Sequence, residues 1–190
     1  MTLHPVIIPI PLESTPRSPR QVEVQREYAR LALRHAAKLA CAPLEGWRKN
    51  DREVPQPNEG FHWSVTHKQE YAAAVVADTP VGIDIERIEP RKRKLHDSLA
   101  GGDEWAIMGD RSWSSFFRLW TAKEAILKAG GVGIADLLRC RLQSIEARSS
   151  MTFRYKDAKW QTAHYFHQEH VIAVTSGSNK IEWHVLPTKN

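Results

Sequence analysis

Gln69-Glu70-Tyr71-Ala72-Ala73-Ala74-Val75-Val76 and Gln168-Glu169-His170-Val171-Ile172-Ala173-Val174-Thr175 align without a gap and agree at four of eight positions. A histidine stands just upstream of each copy, His67 and His167, and a turn and a further extended run follow each. Two copies of one supersecondary unit predict an α+β chain of two similar halves related by pseudo-two-fold symmetry, each a small antiparallel sheet packed with helices. The halves are expected at residues 1–90 and 91–190, joined near Pro90 to Lys94, with the active site at the interface between them.

Around these copies the periodicity changes twice. Gln21 to Cys41 carries apolar residues at helical spacing and basic residues Arg26, Arg30, Arg34 and Lys38 every four positions, an amphipathic helix with a cationic stripe. That stripe reads as the solvated face of a surface helix, or else as a surface turned to an anion. Trp47 to Gly60 reads as a loop. Phe61 to Val65, Tyr71 to Val76 and Val81 to Glu86 are strands in succession, which suggests a meander. Helical spacing returns at Glu104–Trp105 and from Trp113 to Ala129. Leu137–Leu142, Met151–Tyr155, Gln161–Phe166, Val171–Thr175 and Ile181–Val185 read as strands.

The chain has 190 residues, 27 Lys plus Arg against 22 Asp plus Glu, and a formal charge of +5, which favours anionic partners. A mean hydropathy of −0.47 and 42% hydrophobic residues are those of a folded, water-soluble chain. Two cysteines, Cys41 and Cys140, are too few for a disulfide framework, and a cytoplasmic setting is expected. Val6-Ile7-Ile8 is broken by prolines and lacks a basic start, so neither export nor membrane anchoring is expected. Trp63, Trp105, Trp113 and Trp120 are expected in the core.

Chemistry concentrates in two stretches. In Val81-Gly82-Ile83-Asp84-Ile85-Glu86 strict alternation puts the apolar residues on one face and Asp84 and Glu86 on the other, their Cα atoms roughly 6–7 Å apart. Such a pair either shares a cation, holds a proton, or lies solvated on an edge strand. Leu119-Trp120-Thr121-Ala122-Lys123-Glu124-Ala125-Ile126-Leu127-Lys128 forms helix, stopped by Gly130-Gly131, with Glu124 and Lys128 one turn apart. Thr121 to Glu124 has capping-box spacing and Glu124 to Lys128 has ion-pair spacing, so a purely structural reading stands beside a chemical one. Together, Asp84, Glu86 and Glu124 suit a magnesium ion that also takes phosphate oxygens, with Lys128 adding charge on a phosphate.

The two stretches, with Ser64-Val65-Thr66-His67 upstream, resemble the signature motifs of 4′-phosphopantetheinyl transferases over about residues 60 to 135. Length and repeat resemble the larger, fused pseudo-dimeric type, which activates surfactin synthetase, more than the small trimeric one. The resemblance implies a magnesium-dependent transfer of the phosphopantetheine arm of coenzyme A to a serine of an acyl or peptidyl carrier protein. Adenosine 3′,5′-bisphosphate leaves. It implies metal ligands Asp84, Glu86 and Glu124, with Glu124 also the base for the serine. Lys128 is implied on the α-phosphate or the leaving side, and His67 at the coenzyme A phosphates, unless His67 is simply a polar strand end. Arg17, Arg20 and Arg52 are candidates for the 3′-phosphate. The carriers serve fatty acid, polyketide or nonribosomal peptide biosynthesis and are acidic, which suits a basic surface. Arg91-Lys92-Arg93-Lys94 reads as a contact for such a partner or as a solvated linker. A fused pair is expected to be monomeric.

One departure concerns the loop. The Gly-Lys-Pro segment common in the larger class corresponds here to Val54-Pro55-Gln56-Pro57-Asn58-Glu59-Gly60, without the lysine. Two other readings are a basic nucleic-acid-binding module, which leaves the three carboxylates unexplained, and a silent relative that only binds coenzyme A or a carrier.

Overall fold

The computed structural model describes residues 2–11 and 18–187. Its elements run β1 (Thr2–Leu3), β2 (Val6–Pro9), α1 (Pro19–Leu39), β3 (His62–His67), β4 (Tyr71–Ala77), β5 (Ile83–Arg87), α2 (Leu95–Leu99), α3 (Gly102–Met108) and α4 (Trp113–Ala129). A 3-10 turn at Ile134–Arg139 leads to β6 (Arg141–Ala147), β7 (Ser150–Tyr155), β8 (Ala158–His167), β9 (His170–Thr175), β10 (Lys180–Ile181) and β11 (His184–Val185). The fold is α+β. Among the described residues no helix is long and apolar enough to cross a membrane.

Both copies of the internal repeat become interior strands. β4 lies inside a four-stranded sheet of order β11-β2-β4-β3, and β9 inside a five-stranded sheet of order β5-β9-β8-β7-β6. Each carries a fully buried run of small or β-branched residues, because each is covered on both faces. Helix α1 packs on the first sheet through Ala32, Leu33, Ala36 and Ala37, with Ser18 capping it by accepting the Gln21 amide at 3.1 Å. Helix α4 packs on the second through Phe117, Ala122, Ala125 and Ile126.

The expected meander does not form. β3 and β4 make a hairpin, but β5 crosses over and pairs with β9, Ile85 opposite Ile172. The reason is that both edges of β4 are taken, by β3 and by β2, so its ladder has no free side for a third neighbour. Two further strand expectations change. Around Leu137–Leu142, Leu137 is buried while Leu138 is exposed, and the segment forms the 3-10 turn before β6 begins at Arg141. The run Ile181–Val185 splits, since β10 runs parallel to β1 and β11 parallel to β2. Trp63 and Trp105 are buried as expected, whereas Trp113 and Trp120 are half-buried at the edge of the core.

Candidate active site

Gly82 sets how close strand β5 lies to helix α4. A Cβ at this position would stand 1.9 Å from the Ala125 carbonyl oxygen, so only glycine permits the approach. Thr175 locks it there, its hydroxyl accepting the Gly82 amide at 3.0 Å while its own amide donates to the Gly82 carbonyl at 2.9 Å. From this contact Ile83 and Ile85 point into an apolar cluster with Ile172 and Val174. Asp84 and Glu86 point the other way, into a cleft of about 390 Å³. Alternation along the strand therefore delivers the two carboxylates as the sequence requires.

Helix α4 begins at the Ser112 cap, whose hydroxyl accepts the Ser115 amide, two turns before Thr121. Thr121 lies in the helix interior and its hydroxyl donates to the Phe117 carbonyl at 2.9 Å, which removes the capping-box reading. Trp120, Glu124 and Lys128, one turn apart, line the same cleft. The local Glu124–Lys128 ion pair is also replaced. Lys128 Nζ lies 2.7 Å from Asp84 Oδ1 and donates to the Ile83 carbonyl at 3.1 Å, because packing at Gly82 brings a carboxylate in from the strand. Its neighbour Lys123 is wholly buried on the opposite side, 2.9 Å from Glu104 and donating to the Leu99 carbonyl.

Asp84 Oδ1 also accepts the Thr66 hydroxyl at 3.0 Å, while Oδ2 is buried with no hydrogen-bond partner. Glu86 is paired with Lys68 at 2.7 Å. Burial, and then the Asp84 charge, raise the Glu86 carboxyl. The same causes, burial first and Asp84 next, push Glu124 up to about 7 against the pull of Lys128. Three carboxylates thus line one cleft, one with an unsatisfied buried oxygen and two resisting ionisation, but their oxygens do not all come within 4.8 Å of one another.

The rim is cationic. His67 ends β3 in this cleft, and its imidazole is held below its ordinary range by burial and by the charges of Lys128, Lys68, Arg26 and Lys49. Lys68 and Lys49, both lining the cleft, and Thr66 were not singled out by the sequence. Lys68 had a signal in its place directly after His67. Lys49 is carried in by the loop through the antiparallel bridge Lys49–Pro55. Arg20 and Arg52 are exposed and do not line the cleft, and Arg17 lies outside the described residues. Arg91 to Lys94 is exposed, with Arg91 paired to Glu89, and Arg93 and Lys94 edge a separate hollow of about 450 Å³ with Arg111.

A second kind of donor cluster lies elsewhere. Among the described residues, the potential ligands His4, Glu182 and His184 bring their ligand atoms within 4.8 Å of one another, and none of them lines the cleft.

Comparison with known proteins assigns the family. The profile of the 4′-phosphopantetheinyl transferase superfamily matches residues 80–175, which hold β5, α4 and β9 and amount to half of the chain. The chain belongs to this superfamily. It is similar to a 4′-phosphopantetheinyl transferase of Bacillus pumilus, 30% identical over 112 residues, covering 57% of this chain and 48% of the relative. It is also similar to one from Aneurinibacillus migulanus, 34% identical over 92 residues, covering 46% and 39%. A third, from a Nostoc species, is 33% identical over 111 residues, covering 55% and 44%. The chain thus spans less than half the length of each of these relatives. Superfamily membership makes the cleft residues between Asp84 and Lys128 part of the matched region, whereas His67, Lys49 and Lys68 lie upstream of it.

Proposed function

We propose that this chain transfers the phosphopantetheine arm of coenzyme A to a serine hydroxyl of an acyl or peptidyl carrier protein. One observation carries the reading: a buried, partnerless oxygen of Asp84 shares a cleft with Glu86 and Glu124 beneath a rim of lysines. A purely structural acidic cluster has no use for that arrangement, since a buried carboxylate oxygen without a partner costs stability. A diphosphate with its counter-ion would satisfy both the acids and the lysines.

The acids fit magnesium, held by Asp84, Glu86 and Glu124, which when bound supplies neutralisation of charge on the diphosphate. The protein's own groups do the rest. Glu124 accepts the serine proton, directly or through a water. The serine oxygen forms a bond to the phosphorus that carries pantetheine, and the bond from that phosphorus to the bridging oxygen breaks. The bridging oxygen leaves on adenosine 3′,5′-bisphosphate, and the ammonium of Lys128 steadies the α-phosphate. His67, Lys68, Lys49 and Arg26 hold the remaining phosphates. Lys49 gives the loop a lysine although the Gly-Lys-Pro segment is missing, and we assign the 3′-phosphate to Lys49 and Arg26 in preference to Arg20 and Arg52.

We further propose the fused pseudo-dimeric type, acting as a monomer. The offset of 99 that aligns the repeats carries Ala73 onto Ile172, whose antiparallel partners are Ile7 and Ile85, so β2 and β5 take equivalent places beside β4 and β9. On this basis the seam falls at residues 78–82 rather than at 90, and the last strand, β11, returns to the first half. One chain then supplies both walls of the cleft, β3 from one half and β5 with α4 from the other. The basic run Arg91–Lys94, exposed just after β5, is suited to an acidic carrier. Two unpaired cysteines, Cys41 and Cys140, suit a reducing cytoplasm.

The test is to incubate the protein with coenzyme A, magnesium and apo carrier proteins and to weigh the carriers. A gain of one phosphopantetheine, lost with EDTA, is expected. Unchanged masses across several acyl and peptidyl carriers would overturn the reading.

A further inference from the structure

The chain's two ends meet in register. The Glu182 amide donates to the Leu3 carbonyl and the His184 amide to the Pro5 carbonyl, each at 2.9 Å, so His4 lies level with the segment from 182 to 184. Glu182 and His184 are two residues apart on an extended segment and so share one face. His4 Nδ1 stands 3.0 Å from His184 Nε2, and Glu182 Oε1 stands 4.0 Å from that same nitrogen.

We propose that His4, Glu182 and His184 form a binding site for a late first-row divalent cation that clips the C-terminal strands onto the N-terminal ones. Two nitrogens bound to one ion at about 2.0–2.1 Å stand about 2.9–3.4 Å apart over the angles between square and tetrahedral. The observed imidazole separation already falls in that range, and the mostly exposed Glu182 carboxylate has an oxygen within 4.8 Å of both nitrogens. Two imidazoles and one carboxylate favour zinc, nickel or copper over magnesium, which prefers all-oxygen ligands. The proposal is independent of the transfer reading, because no residue of this trio lines the acidic cleft. The consequence is structural: β10 and β11 each have only two residues, and a shared ion would hold them against β1 and β2.

The probe is Zn²⁺, titrated calorimetrically into chelator-stripped full chain with excess magnesium present to occupy oxygen-only sites. One zinc per chain is expected. His4→Gln and His184→Gln should each weaken it at least tenfold, since outer-shell partners of a metal alone are worth about 10–100-fold. Zinc should also slow amide exchange at residues 180–186 in the unsubstituted chain and leave it unchanged in either variant. Glu182→Gln, at an exposed position, provides a variant whose folding is not at risk and should likewise weaken binding. No zinc bound, or one zinc bound equally well by the His4→Gln/His184→Gln protein, would overturn the site.

Discussion

The ammonium of Lys128 lies 2.7 Å from Oδ1 of Asp84, joining helix α4 to strand β5 at the place where both turn toward the cleft. The pair is half-exposed on the lysine side and buried on the aspartate side, so it couples stability only weakly but sets the charge of the whole acid cluster. Lys128→Gln removes the charge while keeping a polar end on a side chain one atom shorter. It should lower kcat for carrier modification by about 10²–10³-fold, the usual loss when one preorganised charge on a reacting phosphate is removed. Thermal denaturation should shift by only a few degrees.

Lys123 and Glu104 behave differently because both are fully buried. Burial lowers the Lys123 ammonium, while Glu104 holds it charged and also accepts the Leu142 amide at 2.9 Å. Lys123→Met removes the buried counter-charge of Glu104, leaving it only the half-exposed Arg141 at 3.6 Å, and should cost about 3 kcal/mol in urea unfolding. The Lys123→Met/Glu104→Gln protein keeps an acceptor for Leu142 and should regain most of that loss.

Gly82→Ala drives a methyl into the Ala125 carbonyl and must separate β5 from α4. Overpacking of this kind costs about 1–3 kcal/mol or more. Because the same contact carries Asp84 toward Glu124, transfer should fall further than stability alone explains, measured at a temperature where the variant remains folded.

His164 gives a pH signature. Its imidazole is held down to about 4, by burial first and by Arg118 next, and its Nε2 hydrogen-bonds the Arg118 carbonyl. Above the ordinary value of 6.5 the group is neutral in both folded and unfolded chains and adds no slope. As pH falls from 6.5 toward 4, the unfolded chain takes up a proton that the fold refuses, and stability drops by roughly 3 kcal/mol across the window. His170, also lowered by burial, adds a loss of the same sign. Urea unfolding at several pH values should therefore show a steeper decline for the unsubstituted protein than for His164→Gln, which retains a donor but does not titrate.

The sequence was most legible where chemistry follows local periodicity. Alternation in residues 81–86 predicts the face carrying Asp84 and Glu86, and helical spacing from Trp113 to Ala129 predicts Glu124 and Lys128 on one side. The two copies of the repeat both form interior strands, β4 in one sheet and β9 in the other. What local pattern does not carry is long-range pairing. β5 leaves β4 because β2, some sixty residues upstream, has taken its edge. Lys128 chooses Asp84 over Glu124 through a glycine contact between two elements. Lys49, Lys68 and Arg26 reach His67 from a loop, a strand end and a helix, and the His4–His184 contact joins residues 180 positions apart. Lone basic residues in a basic chain carry no pattern that separates these from Arg20 or Arg52.

The central claim is that the acid strand and the acid helix act as one magnesium-dependent transfer centre. Its most direct measurement is carrier modification, read by mass, over a magnesium titration with the Asp84→Asn and Glu124→Gln proteins, their fold verified by circular dichroism. The account predicts that neither variant modifies a carrier that the unsubstituted protein modifies, at any magnesium concentration. Turnover by either variant at the unsubstituted rate would contradict it.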